Sequence, residues 1–317
     1  MSTKKVFSWI FRLALLTVLY FPIWIIGTLA MGDLVPTTIS EPGLVSDASA
    51  MLFLGIINTA LIVGMILSSR WHGWRLALFL GLAYYGAFTF MTQIETWYFL
   101  ADSAVPHQLV PRLFVMGLSI PILYIPLAIL ICNKWKKREV NVVHKNMQMP
   151  LKQLVLKLGV LAIIYLIIYW LAGYFIAWQN PELRSYYGSP GELTPFFAHT
   201  IERLTNAPDL FFLQLARGIL FAIIAMPLII GSKVKPWLTA LLVASLLGIP
   251  HFVHIMPNAL MPAASVRLSH MLETASSTFV YGLILVWLLH RRHYSVRDLF
   301  PKRELNTSNI NKQEVYS

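Results

Sequence analysis

Cysteine is almost absent from this sequence. Cys132 stands alone among 317 residues, which excludes an internal disulfide framework and a thiolate metal cluster. Acidic residues are scarce too, 14 against 25 lysines and arginines, and charged residues of both signs make up only 12% of the chain. An ordinary soluble domain carries about twice that share, so a soluble globular protein is excluded. Also missing are a Gly-x-Ser-x-Gly elbow, a Walker-type phosphate loop, a Gly-x-Gly-Asp aspartate and a His-Glu-x-x-His helix. The chemistries those motifs carry have no support here.

Apolar residues fill the space: 57% of the chain is hydrophobic and the mean hydropathy is +0.65. Runs long enough to cross a bilayer recur at 11–31, 49–69, 74–99, 112–132, 154–178, 209–231, 237–256 and 268–290. Lipid offers the backbone no hydrogen bonds, so only helices or a closed barrel can span it, and runs without strict alternation choose helices. The predicted fold class is an all-α polytopic membrane bundle of eight transmembrane helices.

The net charge of +11 is distributed by topology. Bases cluster around the first run (Lys4, Lys5, Arg12), between the second and third (Arg70, Arg75), through the central linker, at Lys233 and Lys235, and after the last run (Arg291, Arg292, Arg297). The intervening loops hold Asp33, Glu41, Asp47, Asp102, Glu182, Glu192 and Glu202. Alternating basic loops predict both termini in the cytoplasm, with the chain in a plasma membrane of the bacterial inner type. The basic excess then serves orientation and anionic lipid, and no nucleic-acid partner is expected. Thr28-Leu29-Ala30 resembles a cleavage site, but the first run is longer than a signal peptide's apolar core and is expected to remain as a span.

A shift of 163 positions aligns Leu52 with Leu215, Gly55 with Gly218, Ile66 with Ile229, Ser69 with Ser232, Trp74 with Trp237 and His107 with His270. The first run matches the fifth at a shorter shift, Leu16 with Leu161 and Tyr20 with Tyr165. These matches predict a 4+4 parallel internal repeat, the kind related by an axis along the membrane normal. The expected organisation is a first four-helix half at 1–132, a basic cytoplasmic linker at 133–153, a second half at 154–290 with an outer loop at 179–208, and a disordered tail at 291–317.

The halves differ in their polar residues. Under the shift, His251, His254 and Asn258 fall opposite Phe88, Met91 and Glu95, with Gln93 beside the glutamate. His251 and His254, His270 and Glu273, and Gln214 and Arg217 each stand three apart, so each pair shares a helix face. Ionisable residues in a membrane span mark function or a partnered charge. Arg217 lies about 13 Å into its span and calls for a carboxylate partner, Glu95 or Glu273. The candidate ligand-binding set is therefore Gln93, Glu95, Gln214, Arg217, His251, His254, Asn258, His270 and Glu273.

Three chemistries suit this set. His251, His254, His270 and Glu273 offer nitrogen and oxygen ligands for a divalent metal. Arg217 and the histidines suit an anionic group, with Glu273 or His254 moving a proton. Haem held by histidines of two helices is the third, but no haem-binding signature accompanies them. His254 and Asn258 are spaced like the last motif of CAAX-type intramembrane proteases. The paired glutamates and arginine those enzymes need are missing, so no family is assigned.

The leading functional expectation is binding or transport of a small anionic or lipid-like ligand in an outward-facing polar pocket. The alternatives are a membrane enzyme, metal-dependent or acid–base, and a non-catalytic scaffold or sensor. Trp24, Trp97, Trp170, Trp178 and Trp237 sit near run ends and read as an interfacial belt. Pro195 to Thr205 has helical apolar spacing and suits an amphipathic helix lying on the membrane; the loop around it reads equally as an ordinary surface loop or as a lid, and only if it folds inward do His199, Glu202 and Arg184 join the cluster.

Overall fold

The computed structural model describes residues 3–34, 38–101, 105–136, 149–295 and 298. Most of the basic linker and of the tail therefore lies outside the described residues. Among the described residues, eight helices are long and apolar enough to cross a membrane: α1 (Thr3–Leu34), α2 (Asp47–Ser68), α3 (Gly73–Leu100), α4 (Leu109–Ile131), α5 (Leu151–Ala177), α8 (Pro208–Gly231), α9 (Pro236–Ile255) and α10 (Ala264–Leu289). Between α5 and α8 lie two short helices, α6 (Pro181–Tyr186) and α7 (Phe196–Asn206). The chain is a multi-pass, all-α membrane protein, and no strand occurs among the described residues.

Helix starts follow local chemistry. Proline occupies the first turn of α6, α8 and α9, where its missing N–H costs nothing. Ser46 caps α2 by accepting from the Ser49 N–H, and Asn180 caps α6 by accepting from the Glu182 N–H. α1 starts at Thr3, well before the apolar run, because Lys4, Lys5 and Arg12 can stay helical while their charged ends reach the headgroups.

Helix α9 changes character at Pro250. Proline cannot donate to the preceding turn, and the helix tightens to 3₁₀ geometry over Ile249–Ile255. Single π turns widen α3 at Gly86–Phe90, α4 at Ile120–Tyr124 and α5 at Gly173–Ala177.

Helices pack closely where glycine allows it. A Cβ on Gly282 of α10 would stand 2.6 Å from Ala244 Cα of α9, and one on Gly218 of α8 would stand 2.9 Å from Ala162 Cα of α5. The buried core runs through Leu16, Ile62, Ile66, Leu80, Ile125, Leu161, Leu246 and Leu285. α1 contributes Leu16 and Tyr20 to this core, so it is packed as part of the bundle.

On the basic face of the bundle, Ser69 and Ser232 lie opposite each other in a short antiparallel bridge. The Arg70 N–H donates to Gly231 O at 2.8 Å, and the Lys233 N–H donates to Ser68 O at 2.9 Å. Each of these donors and acceptors is 163 positions from its counterpart in the other bond. Ser69 Oγ accepts from the Trp71 N–H and Ser232 Oγ from the Val234 N–H, again at matching positions.

Candidate functional site

At the end of the bundle away from these basic loops lies a cavity of about 740 Å³. The late turns of α1, α3, α5 and α9 and the early turns of α2, α4 and α10 line it. All three π turns contribute, through Phe88 and Thr89, Ile120, and Gly173 and Tyr174. An extra residue in a helix turn re-aims the side chains that follow, which is why such turns recur at binding sites.

Seven of the nine sequence candidates face this cavity: Gln93, Glu95, His251, His254, Asn258, His270 and Glu273. The other two, Gln214 and Arg217, stand behind its wall, 0% and 1% exposed. Arg217 Nη1 donates to Glu95 Oε1 at 2.6 Å and to Gln214 Oε1 at 2.9 Å. Its guanidinium also lies 5.6 Å from the Tyr165 ring centre and 5.8 Å from that of Phe221. The deep charge thus finds a carboxylate on α3, while aromatic faces shield its remaining sides. Direct contact between Arg217 and a ligand in the cavity, expected from the sequence, is replaced by this pairing.

The histidines meet because the 3₁₀ turn eclipses residues three apart, bringing His251 and His254 onto one side of α9. The His254 ring stands 5.1 Å from that of His270, edge to face, and His270 Nδ1 lies 3.4 Å from Glu273 Oε2. His254 Nδ1 and Gln93 Oε1 are buried polar atoms without a hydrogen-bond partner among the described residues. Asn258 is partly spent on its own turn, accepting from the Leu260 N–H at 2.9 Å.

Among the described residues, no three His, Cys, Asp or Glu side chains are arranged to hold an ion. His251, His254, His270 and Glu273 all line the cavity, and His270 directs its Nδ1 to Glu273. Deeper on α10, Tyr281 donates to Gly218 O at 2.7 Å and Ser277 donates to Thr274 O at 3.2 Å, so both hydroxyls are spent on backbone carbonyls.

A second polar group lines the deep end of the cavity and has no counterpart in the sequence expectations. Tyr84 donates to Asn58 Oδ1 at 2.8 Å, and its hydroxyl lies 3.4 Å from that of Tyr20.

Over the outer end sit α6 and α7. The His199 ring of α7 lies within a box of Trp170, Tyr174 and Trp178, with ring centres 5.6, 5.5 and 5.7 Å away. Trp170 Nε1 donates to Thr200 Oγ1 at 2.8 Å and the Tyr174 hydroxyl donates to Thr194 O at 2.7 Å, so α5 holds the cap. Burial lowers the proton affinity of His199, and the neighbouring Arg203 lowers it further. Burial also pushes the Tyr187 phenol up.

Trp24, Trp170 and Trp178 line the cavity, whereas Trp97 and Trp237 are 58% and 60% exposed. Trp170, Tyr174 and Trp178 recur every four residues on α5, a face visible in the sequence that composition alone did not separate from a belt. His199 joins the cavity wall as expected. Arg184 does not, because its guanidinium is spent on Trp178 O and Gly191 O, and Glu202 is exposed. Compared with known proteins, the chain matches no family model, no curated protein and no solved structure.

Buried Arg267 is a further residue the sequence did not mark. It donates to the carbonyls of Met261, Pro262, Glu41 and Pro42, and so ties the loop before α2 to the start of α10 beside the site.

Proposed function

We propose that the protein binds, and moves across or within the membrane, a small amphipathic, lipid-like molecule held in this cavity. The observation that carries the proposal is the cavity's division: a wide aromatic wall towards the cap, and a polar wall of Glu95, His254, His270 and Glu273. A volume of about 740 Å³ is that of a drug-sized site. The anionic version of the ligand drew on Arg217 together with the histidines, and Glu95 already occupies that guanidinium.

The proposal includes orientation and symmetry. Basic loops at the opposite end of the bundle support placing that end in the cytoplasm and the cavity at the outer side of a plasma membrane of the bacterial inner type. The reciprocal bonds at Ser69 and Ser232 support two related four-span halves. They also support a closed cytoplasmic end opposite an accessible outer cavity, as alternating access requires.

Mass spectrometry of the protein released from lipid nanodiscs tests the binding role. One retained amphipath per chain is expected, and it should be lost when Gly173→Trp fills the cavity. A Cβ at Gly173 meets nothing within 4 Å, so the larger side chain enters open space. A chain that retains nothing, or retains the same molecule after the substitution, rules the role out.

A second reading, a membrane-embedded enzyme, draws on the unpartnered His254 Nδ1 beside the His270–Glu273 pair, an arrangement able to take up and return a proton. Its test is incubation with phospholipid vesicles, followed by a search for products that disappear with His270→Ala.

A further inference from the structure

The ionisable groups around the cavity differ in whether their partners are permanently charged. Arg217 is committed to Glu95 at 2.6 Å. Arg267 spends its guanidinium on four backbone carbonyls. Arg203 stands at the rim, donating to Ser189 Oγ at 2.5 Å and lying 5.6 Å from the Trp178 ring centre. Glu273 is 4% exposed, and its ion-pair partner among the described residues is His270, at 3.4 Å. Unlike arginine, that partner is cationic only while it holds a proton.

A buried carboxylate is stable only with a proton or a cation beside it. Glu273 and His270 therefore hold one exchangeable proton between them at electroneutrality. The groups facing this pair from neighbouring elements are Glu95 on α3, Tyr165 and Tyr169 on α5, Tyr187 just after α6, Arg217 on α8, and His251 and His254 on α9. Of these, Glu95 and Arg217 are paired with each other. The rest of the cavity wall is rich in aromatic faces, among them Trp24, Phe88, Trp170, Tyr174, Trp178 and Tyr187. Ring faces attract cations, and most strongly where water is excluded.

We infer that the cavity takes a hydrophobic organic cation, which replaces the proton shared by Glu273 and His270. This rests on the binding role proposed above and names its ligand class. The exchange balances. The proton leaves the pair for bulk water, the Glu273 carboxylate becomes the counter-ion of the ligand, and His270 is left neutral. One positive charge enters as one departs, and the only bond broken is that to the proton. Proton and ligand then compete for one carboxylate, which is the condition for coupling their movements.

The test uses the full chain in detergent and two probes of one shape and opposite charge, tetraphenylphosphonium and tetraphenylborate, followed by calorimetry. The phosphonium is expected to bind at least tenfold more tightly than the borate. One proton should be released per bound cation in weakly buffered solution. Its affinity should rise about tenfold per pH unit across the range in which the free pair still holds its proton, and level off above it. Glu273→Gln, close in shape but uncharged, should abolish both proton release and pH dependence. Equal binding of the two probes, preference for the borate, or phosphonium binding without proton release in the unaltered protein would overturn the inference. These arms need no variant to fold. If neither probe binds while an amphipath is still retained from nanodiscs, the cation inference fails and the binding role stands. If nothing is retained either, both fail.

Discussion

Arg217 and Glu95 form an ion pair of 2.6 Å that joins α8 to α3, across the two halves of the chain. Gln214, one turn before Arg217, supports the guanidinium from its own helix. Arg217 is 1% exposed as a residue and the Glu95 side chain 12%, so the guanidinium is shut off from water and the carboxylate is reached by it only from the cavity.

Removing one member should therefore cost more than removing both. Arg217→Met is expected to destabilise the fold by about 3–5 kcal/mol, since it leaves a buried carboxylate without its cation. The double variant Arg217→Met with Glu95→Gln should recover most of that loss. Thermal unfolding of the single and double variants in one detergent checks this, and purely additive losses would contradict it.

Close helix contact between α9 and α10 predicts a second asymmetry. Gly282→Ala should destabilise by about 1–3 kcal/mol, because its Cβ would meet Ala244 Cα at 2.6 Å and backbone cannot rotate away. Gly173→Ala, whose Cβ meets nothing within 4 Å, should change stability by no more than about 0.5 kcal/mol. Melting temperatures measured side by side decide the point.

Acid should loosen the cap. His199 binds a proton less readily in its aromatic box than in water, because burial and Arg203 oppose the charge while the weaker influence of Glu202 favours it. A depressed histidine contributes docking stability that is present above its ordinary value near 6.5 and lost as pH falls below it. Hydrogen exchange over 196–206 should accelerate as pH falls below about 6, after correction for intrinsic rates. His199→Phe should remove the effect, and an unchanged pH response in that variant would count against it.

The bridge at the basic face predicts a cross-link. Ser69 and Ser232 form the non-hydrogen-bonded pair of their bridge, the arrangement that brings side chains closest, at about 4.5 Å between Cα atoms. That separation lies within disulfide range. With Cys132→Ser removing the native thiol, Ser69→Cys and Ser232→Cys should oxidise together, read as loss of both free thiols. If the proposed alternating access operates, the cross-linked protein should still bind ligand but not transport it.

Much of the architecture was legible because hydrocarbon punishes unpaired backbone so severely. Runs such as 49–69 and 209–231 correspond within a residue or two to Asp47–Ser68 and Pro208–Gly231. Pro195 to Thr205 became the helix Phe196–Asn206. The pairing of Arg217 with a carboxylate followed from the cost of a lone charge at that depth, but Glu95 and Glu273 were equal on depth alone.

Sequence by itself determined the class of fold, the alternation of basic loops and the end of the bundle that carries the polar residues. Periodicity and transfer energy act along one helix at a time, and these features need nothing more. Only tertiary structure decided that Arg217 turns away from the cavity, that His254 of α9 meets His270 of α10, and that Trp170, Tyr174 and Trp178 enclose His199. Those outcomes depend on helix rotation and crossing. Both are set by close glycine contacts, a proline-tightened turn and inserted π turns, whose effects add up only once all eight helices are packed.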